Sequence, residues 1–164
     1  MKKNNLVILY GGCGRLGSGF LNLILEKNIK VINIDPKSEE QKLASNNNYI
    51  PIKAEDIEQS KILLRNNLLN LSASHNLIGV VNFSRLRIEK NGDNLSIKEE
   101  MNSEVYSVML FNFIEIIDLL ILENFINFSI VHIGSTNAKT VSHQSILYHS
   151  IKGAIESTNK AMEI

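Results

Sequence analysis

The chain lacks a second cysteine, an excess of either charge, and any long unbroken apolar run, and each absence removes a class of protein. Cys13 is the one cysteine among 164 residues and cannot close an internal disulfide, which suits a reducing compartment. Seventeen basic residues balance seventeen acidic ones, so neither nucleic acid nor an anionic membrane surface is an expected partner. The apolar run near the N-terminus, Leu6 to Tyr10, is too short for the core of a secretory leader. The longest apolar stretch, 111–128, is interrupted by Glu115, Asp118 and Glu123, so no membrane span is expected. No fixed-period repeat occurs, and the only low-complexity tract is Asn46–Asn48, which leaves no linker to a second domain. With 44% apolar residues, the sequence reads as one domain over 1–164, in the cytoplasm, acting on a small molecule.

Apolar runs alternate with helical patterns along the chain. LVILY (6–10) reads as a strand buried on both faces and ended by glycines. Leu16, Phe20, Leu23, Ile24 and Leu25 recur at helical spacing up to about residue 27. VINID (31–35) is a second strand stopped by Pro36, KSEEQKLAS a short helix, and YIPI a third strand weakened by Pro51. A helix over 56–73, a strand LIGVVNF (77–83), a long helix from Ile97 to Leu122, a strand FSIVHIG and a last helix from Gln144 complete the pattern. Such alternation implies right-handed crossovers: an α/β fold with a doubly wound parallel sheet, a Rossmann fold with helices on both faces.

Three features carry chemistry. GGCGRLG can be read as GxGxxG through Gly12, Gly14 and Gly17, or as GxxGxxG through Gly11, Gly14 and Gly17. Both registers let the backbone approach a pyrophosphate, which the amides and dipole of a helix N-terminus then meet. Asp35 falls eighteen positions beyond Gly17 at the end of the second strand. A carboxylate there accepts ribose hydroxyls and repels a 2′-phosphate, so NAD is expected over NADP. Arg15 and Lys37 are the two charges that could instead greet a phosphate. Tyr148 and Lys152 stand four apart, on one helical face. A phenol is a poor acid or base at neutral pH, and a nearby ammonium favours its ionised form. Cys13, within the glycine loop, reads better as a small residue at a crowded turn than as a nucleophile. No histidine shows metal-ligand spacing, and no metal is expected.

With the glycine loop, Asp35 and YxxxK in this order, the chain resembles the short-chain dehydrogenase/reductase family over its whole length. The resemblance implies an NAD(P)-dependent oxidoreductase in which Gly11, Gly12, Gly14, Arg15, Leu16 and Gly17 cradle the pyrophosphate and Asp35 the adenosine ribose. Asp56 and Ile57 resemble the family's adenine contact, and VVNFS (80–84) stands in the place of its VNNAG stretch: Asn82 fits, whereas Phe83, Ser84 and Arg85 depart. Ser135 would hold the substrate oxygen, Tyr148 would transfer the proton, and Lys152 would hold the nicotinamide ribose. Asn102 is the nearest candidate for the family's helix asparagine, although an alternative register puts Val105 or Tyr106 there, and Thr136 competes with Ser135 for the hydroxyl role. His143 and His149 flank this site. The thirteen-residue step from Ser135 to Tyr148 resembles the family's compact branch, and GGxGxxG its nucleotide-sugar branch, so a sugar or sugar nucleotide of bacterial surface-glycan synthesis is an implied substrate. Family members pair into dimers or tetramers and continue beyond the catalytic helix, so the chain reads as truncated at its C-terminus relative to them. A non-catalytic dinucleotide-binding remnant, or a sugar-nucleotide epimerase or dehydratase, are the alternatives.

Overall fold

Five apolar runs pair side by side into one sheet in the computed structural model, which describes residues 3–40, 43, 45–53, 56–84, 104, 106–135 and 146–162. The strands are β1 (Asn4–Tyr10), β2 (Lys30–Ile34), β3 (Tyr49–Ile52), β4 (His75–Asn82) and β5 (Ser129–His132), in the spatial order β3-β2-β1-β4-β5. All neighbours run parallel. Alternation of side chains along central β1 sends Leu6, Ile8 and Tyr10 to one face and Val7 and Leu9 to the other, and both faces are covered. Helix α1 (Arg15–Glu26) covers the second with Leu21, Ile24 and Leu25. Helices α2 (Ile57–Leu71) and α3 (Asn112–Leu122) cover the first with Leu64, Leu68, Phe113, Ile116, Ile117 and Leu120. Helix α4 (Ile146–Met162) packs Ile151 and Ile155 against Met109 and Leu110. The chain is therefore doubly wound, as its pattern implies.

The order of strands fixes where a ligand can enter. From β1 the chain moves outward through β2 to β3, then returns to β4 on the other side of β1. Between the carboxyl ends of β1 and β4 the crossovers diverge to opposite faces, which leaves a crevice in every open sheet of this kind.

Two elements differ from the pattern. Of the short helix expected after Pro36, the described part holds a 3-10 turn over Ser38–Glu40, and the Ser38 carbonyl accepts the Tyr49 hydroxyl at 2.8 Å, which ties this turn to β3. Of the long helix expected over 97–122, the described part opens with a π-helical turn, Ser107–Phe111, that runs into α3. Strand β4 begins at His75, two residues before the expected LIGVVNF run.

Candidate dinucleotide site

At the carboxyl end of β1 the backbone turns sharply at Gly11, whose φ of 78° lies in the left-handed region. A Cβ on Gly11 would lie 2.6 Å from the backbone nitrogen of Ser84, so the loop rests directly on the end of β4. One on Gly17 would lie 2.8 Å from the Gly12 backbone, so the first turn of α1 also presses onto the loop. Gly14 does the opposite work. It is the N-cap of α1, exposed, and a Cβ there would meet nothing nearer than the Gly11 carbonyl at 3.7 Å. Arg15 and Leu16 open the helix, both exposed, with their amides ahead of its first internal hydrogen bond, Ser18 N to Gly14 O.

Asn33 and Asp35 hold this loop from β2 and its end. Asn33, fully buried, accepts the Gly12 amide at 3.1 Å and donates through Nδ2 to the Tyr49 hydroxyl at 3.1 Å and to Cys13 Sγ at 3.3 Å. Burial pushes Tyr49 up to about 12, with the Asn33 bond pulling the other way. The sequence reading missed Asn33; its signal is a polar residue in an otherwise apolar buried strand. Asp35 accepts the Cys13 amide on Oδ2 at 3.0 Å and the Lys37 amide on Oδ1 at 2.9 Å. Each carboxylate oxygen keeps a second lone pair, so the group can still accept hydroxyl protons.

Loop, Asp35, Asp56 and Ile57 converge on one cleft of about 560 Å³. Its lining also includes Tyr10, Ser60, Phe83, Val108 and Asn112. Asp56 is the N-cap of α2 and accepts the Glu58 amide on Oδ1 at 2.8 Å, which leaves its other oxygen for a ligand. Phe83 packs on Phe20 of α1 at 5.4 Å between ring centroids, in the stretch where the resemblance departs.

Asn82 lies beneath this cleft rather than on its wall. It is 1% exposed, accepts the Ser84 amide on Oδ1 at 2.7 Å, and donates through Nδ2 to Met109 O of the π turn at 3.2 Å. Its Nδ2 also lies 2.7 Å from His132 Nε2. The same Nε2 lies 3.2 Å from Met109 O, so it meets both a donor and an acceptor, whereas Nδ1 is a buried atom with no partner among the described residues. Burial pushes His132 down to about 4, the Met109 carbonyl opposes this, and the Lys152 charge adds to the fall. Because the folded value lies below the ordinary 6.5, the unfolded chain takes up this proton first as pH falls. Stability is expected to drop by about 3 kcal/mol between pH 6.5 and pH 4 from this group alone. Urea unfolding across that interval should show a flatter pH slope for His132→Gln; an equal slope in both proteins would count against the assignment.

Tyr148 and Lys152 lie together on α4, with the Lys152 ammonium 5.8 Å from the Tyr148 ring centroid. Lys152 is only 5% exposed and donates to Ile133 O at 2.8 Å, which ties α4 to the segment after β5. Tyr148 is half-buried against the Met109–Leu110–Ile151–Ile155 cluster, and half-buried Ser135 lies three residues past β5. None of the three is among the residues that line the cleft. Asn102, Val105, Thr136 and His143 lie outside the described residues. Tyr106 stacks on Phe111, whereas Val108 of the π turn reaches the cleft. Among the described residues no group of three or more metal-ligating side chains occurs, and no helix is long and apolar enough to cross a membrane.

No family model matches the chain, and no curated protein does. Solved structures do. A short-chain dehydrogenase family protein from Francisella tularensis is 26% identical, with a TM-score of 0.76 over 98% of this chain and 63% of its own. An apo SCOR enzyme from Clostridium thermocellum is 23% identical, with a TM-score of 0.78 over 99% of this chain and 66% of its own. A short-chain dehydrogenase from Leptospira borgpetersenii, with bound NAD+, is 19% identical, with a TM-score of 0.78 over 98% of this chain and 65% of its own. Other matched structures hold NAD or NADP. The chain thus spans about two thirds of the length of these structures. Over that span it has the fold of the short-chain dehydrogenases/reductases, as its glycine loop, Asp35 and YxxxK imply.

Proposed function

We propose that the cleft binds NAD and that the chain is the cofactor-binding part of an oxidoreductase acting on an alcohol or carbonyl group. The observation that carries this is a cleft running from the exposed start of α1 to a carboxylate bonded to the same loop, Asp35 to the Cys13 amide at 3.0 Å. Residues fit the cofactor there: Gly14 leaves open the space a Cβ would fill beside the amides of Arg15, Leu16 and Gly17. Asp35 accepts the hydroxyls of the adenosine ribose and repels a 2′-phosphate, so NAD binds more tightly than NADP. Asp56 and Ile57 flank the adenine, while Asn82 supports the cleft from below through Ser84 and Met109. When bound, the nicotinamide supplies or accepts a hydride. Lys152 holds its ribose, Tyr148 passes the proton to or from the substrate oxygen, Ser135 hydrogen-bonds that oxygen, and Asn102 joins the proton path. A sugar or sugar nucleotide is the substrate class, a cytoplasmic homo-oligomer the working form. The sugar and homo-oligomer readings rest on the motif resemblance, the cytoplasmic one on the single cysteine.

Cys13 gives a direct test, because it lines the cleft and is the only thiol in the chain. NAD is expected to slow alkylation of Cys13 by about tenfold at ten times its Kd, as mass action requires. NADP should protect only at higher concentration. Equal alkylation rates with and without NAD would overturn the site.

A further inference from the structure

Besides the glycine loop and the two carboxylates, Asp35 and Asp56, the cleft sets apolar Ile34, Ile57 and Val108 beside Tyr10 of β1 and Asn112 of α3. Asn112 donates through Nδ2 to the Tyr10 hydroxyl at 3.2 Å, across 102 positions of sequence. Among the described residues it is the only carboxamide on the cleft wall. Packing does not explain it, because α3 buries Phe113, Ile116, Ile117 and Leu120 and leaves Asn112 half-buried at its cleft end. Its oxygen and its second N–H have no hydrogen-bond partner among the described residues. Tyr10 is 5% exposed, and burial pushes its pKa up, so it stays a neutral phenol able to hold the amide. A carboxamide held by a buried phenol beside apolar side chains, with two of its hydrogen-bonding positions still open, is an arrangement that orients a ligand rather than merely enclosing it.

We infer that Asn112, held by Tyr10, reads the base of the bound dinucleotide, accepting from the amino group of adenine and donating to a neighbouring ring nitrogen. The inference rests on the proposed function and deepens it. A carboxamide offers one acceptor and one donor in a plane, and adenine presents the complementary pair. The apolar side chains supply contact area for the rings without preference for a substituent. Discrimination at the six-position of the purine then falls to Asn112, together with the free oxygen of Asp56.

The test compares NAD with its analogue in which hydrogen replaces the 6-amino group of the base, by calorimetric titration of the whole chain. Wild-type protein should favour NAD by about tenfold or more, because the analogue leaves the Asn112 oxygen buried against a C–H. Asn112→Leu, of similar volume, should cut that preference several-fold. Tyr10→Phe keeps the ring in the core and removes only the hydroxyl, so it should lower the preference as well, and it covers the case in which Asn112→Leu does not fold. Binding of NAD with an unchanged preference in both variants overturns the role of Asn112 and leaves the proposed function standing. Failure of the wild-type chain to bind NAD removes the proposed function first, and this assignment with it.

Discussion

Gly11→Ala should cost about 3 kcal/mol of folding stability or more, a large share of what holds a domain of this size together. Two effects add. An L-residue held at a φ of 78° costs about 1–2 kcal/mol relative to glycine. The new Cβ would also lie 2.6 Å from the backbone nitrogen and Cα of Ser84, and 3.0 Å from the Phe83 carbonyl carbon. Those are backbone atoms at the end of a paired strand and cannot rotate away, so the loop and β4 must separate, an overpacking strain of about 1–3 kcal/mol. Separation also opens the floor of the cleft, and NAD affinity should fall with stability. Gly19→Ala is the contrast. A Cβ at Gly19, inside α1, meets nothing within 4 Å, and alanine favours a helix over glycine by about 1 kcal/mol, so stability should rise. Urea unfolding of the two variants beside wild type checks both signs; a Gly11→Ala protein as stable as wild type would mean the loop is not seated on Ser84.

The same contrast separates what could be read along the chain from what could not. Val7, Leu9, Ile32 and Ile34 lie in short runs buried on both faces, and such runs between glycine and proline report a parallel sheet through local pattern alone. Gly11, Gly14, Gly17 and Asp35 stood out because their residue types recur at a set spacing along one strand–helix–strand crossover. Asn33, Tyr49, Tyr10 and Asn112 did not. Each is an ordinary residue in its own segment and gains its role from a partner on another element, Asn33 from the Gly12 amide and Asn112 from a strand 102 positions away. The π turn over Ser107–Phe111 was equally hidden, since its apolar spacing reads as plain helix; its Met109 carbonyl meets Asn82 only once β4 and α3 have docked. Tyr148 and Lys152 were legible as a pair through their spacing, yet the burial of the ammonium and its bond to Ile133 O depend on where β5 ends.

That burial shapes the second large effect. In a form of the protein that turns over an alcohol or carbonyl substrate, Tyr148→Phe should lower kcat by about a hundredfold to ten-thousandfold, the usual worth of a positioned proton donor or acceptor. Phenylalanine keeps the ring that packs on Met109, Leu110, Ile151 and Ile155, and keeps a face toward the Lys152 ammonium. Only the hydroxyl is lost, and the cost in stability should stay near 1 kcal/mol. Affinity for NAD should change little, because Tyr148 lies on α4 and does not line the cleft that Gly11, Gly14, Asp35 and Asp56 enclose. The expected signature is thus a split: turnover collapses while NAD still protects Cys13 from alkylation to the wild-type extent. Turnover retained in Tyr148→Phe would take the proton-transfer role from this residue, whereas loss of both turnover and protection would mean that α4 reaches the adenosine half of the site. Lys152→Met probes the same boundary from below. It removes the ammonium and its bond to Ile133 O but keeps the buried stem, so without NAD the Cys13 rate should stay at the wild-type value, and with NAD protection should weaken because the proposed ribose contact is lost.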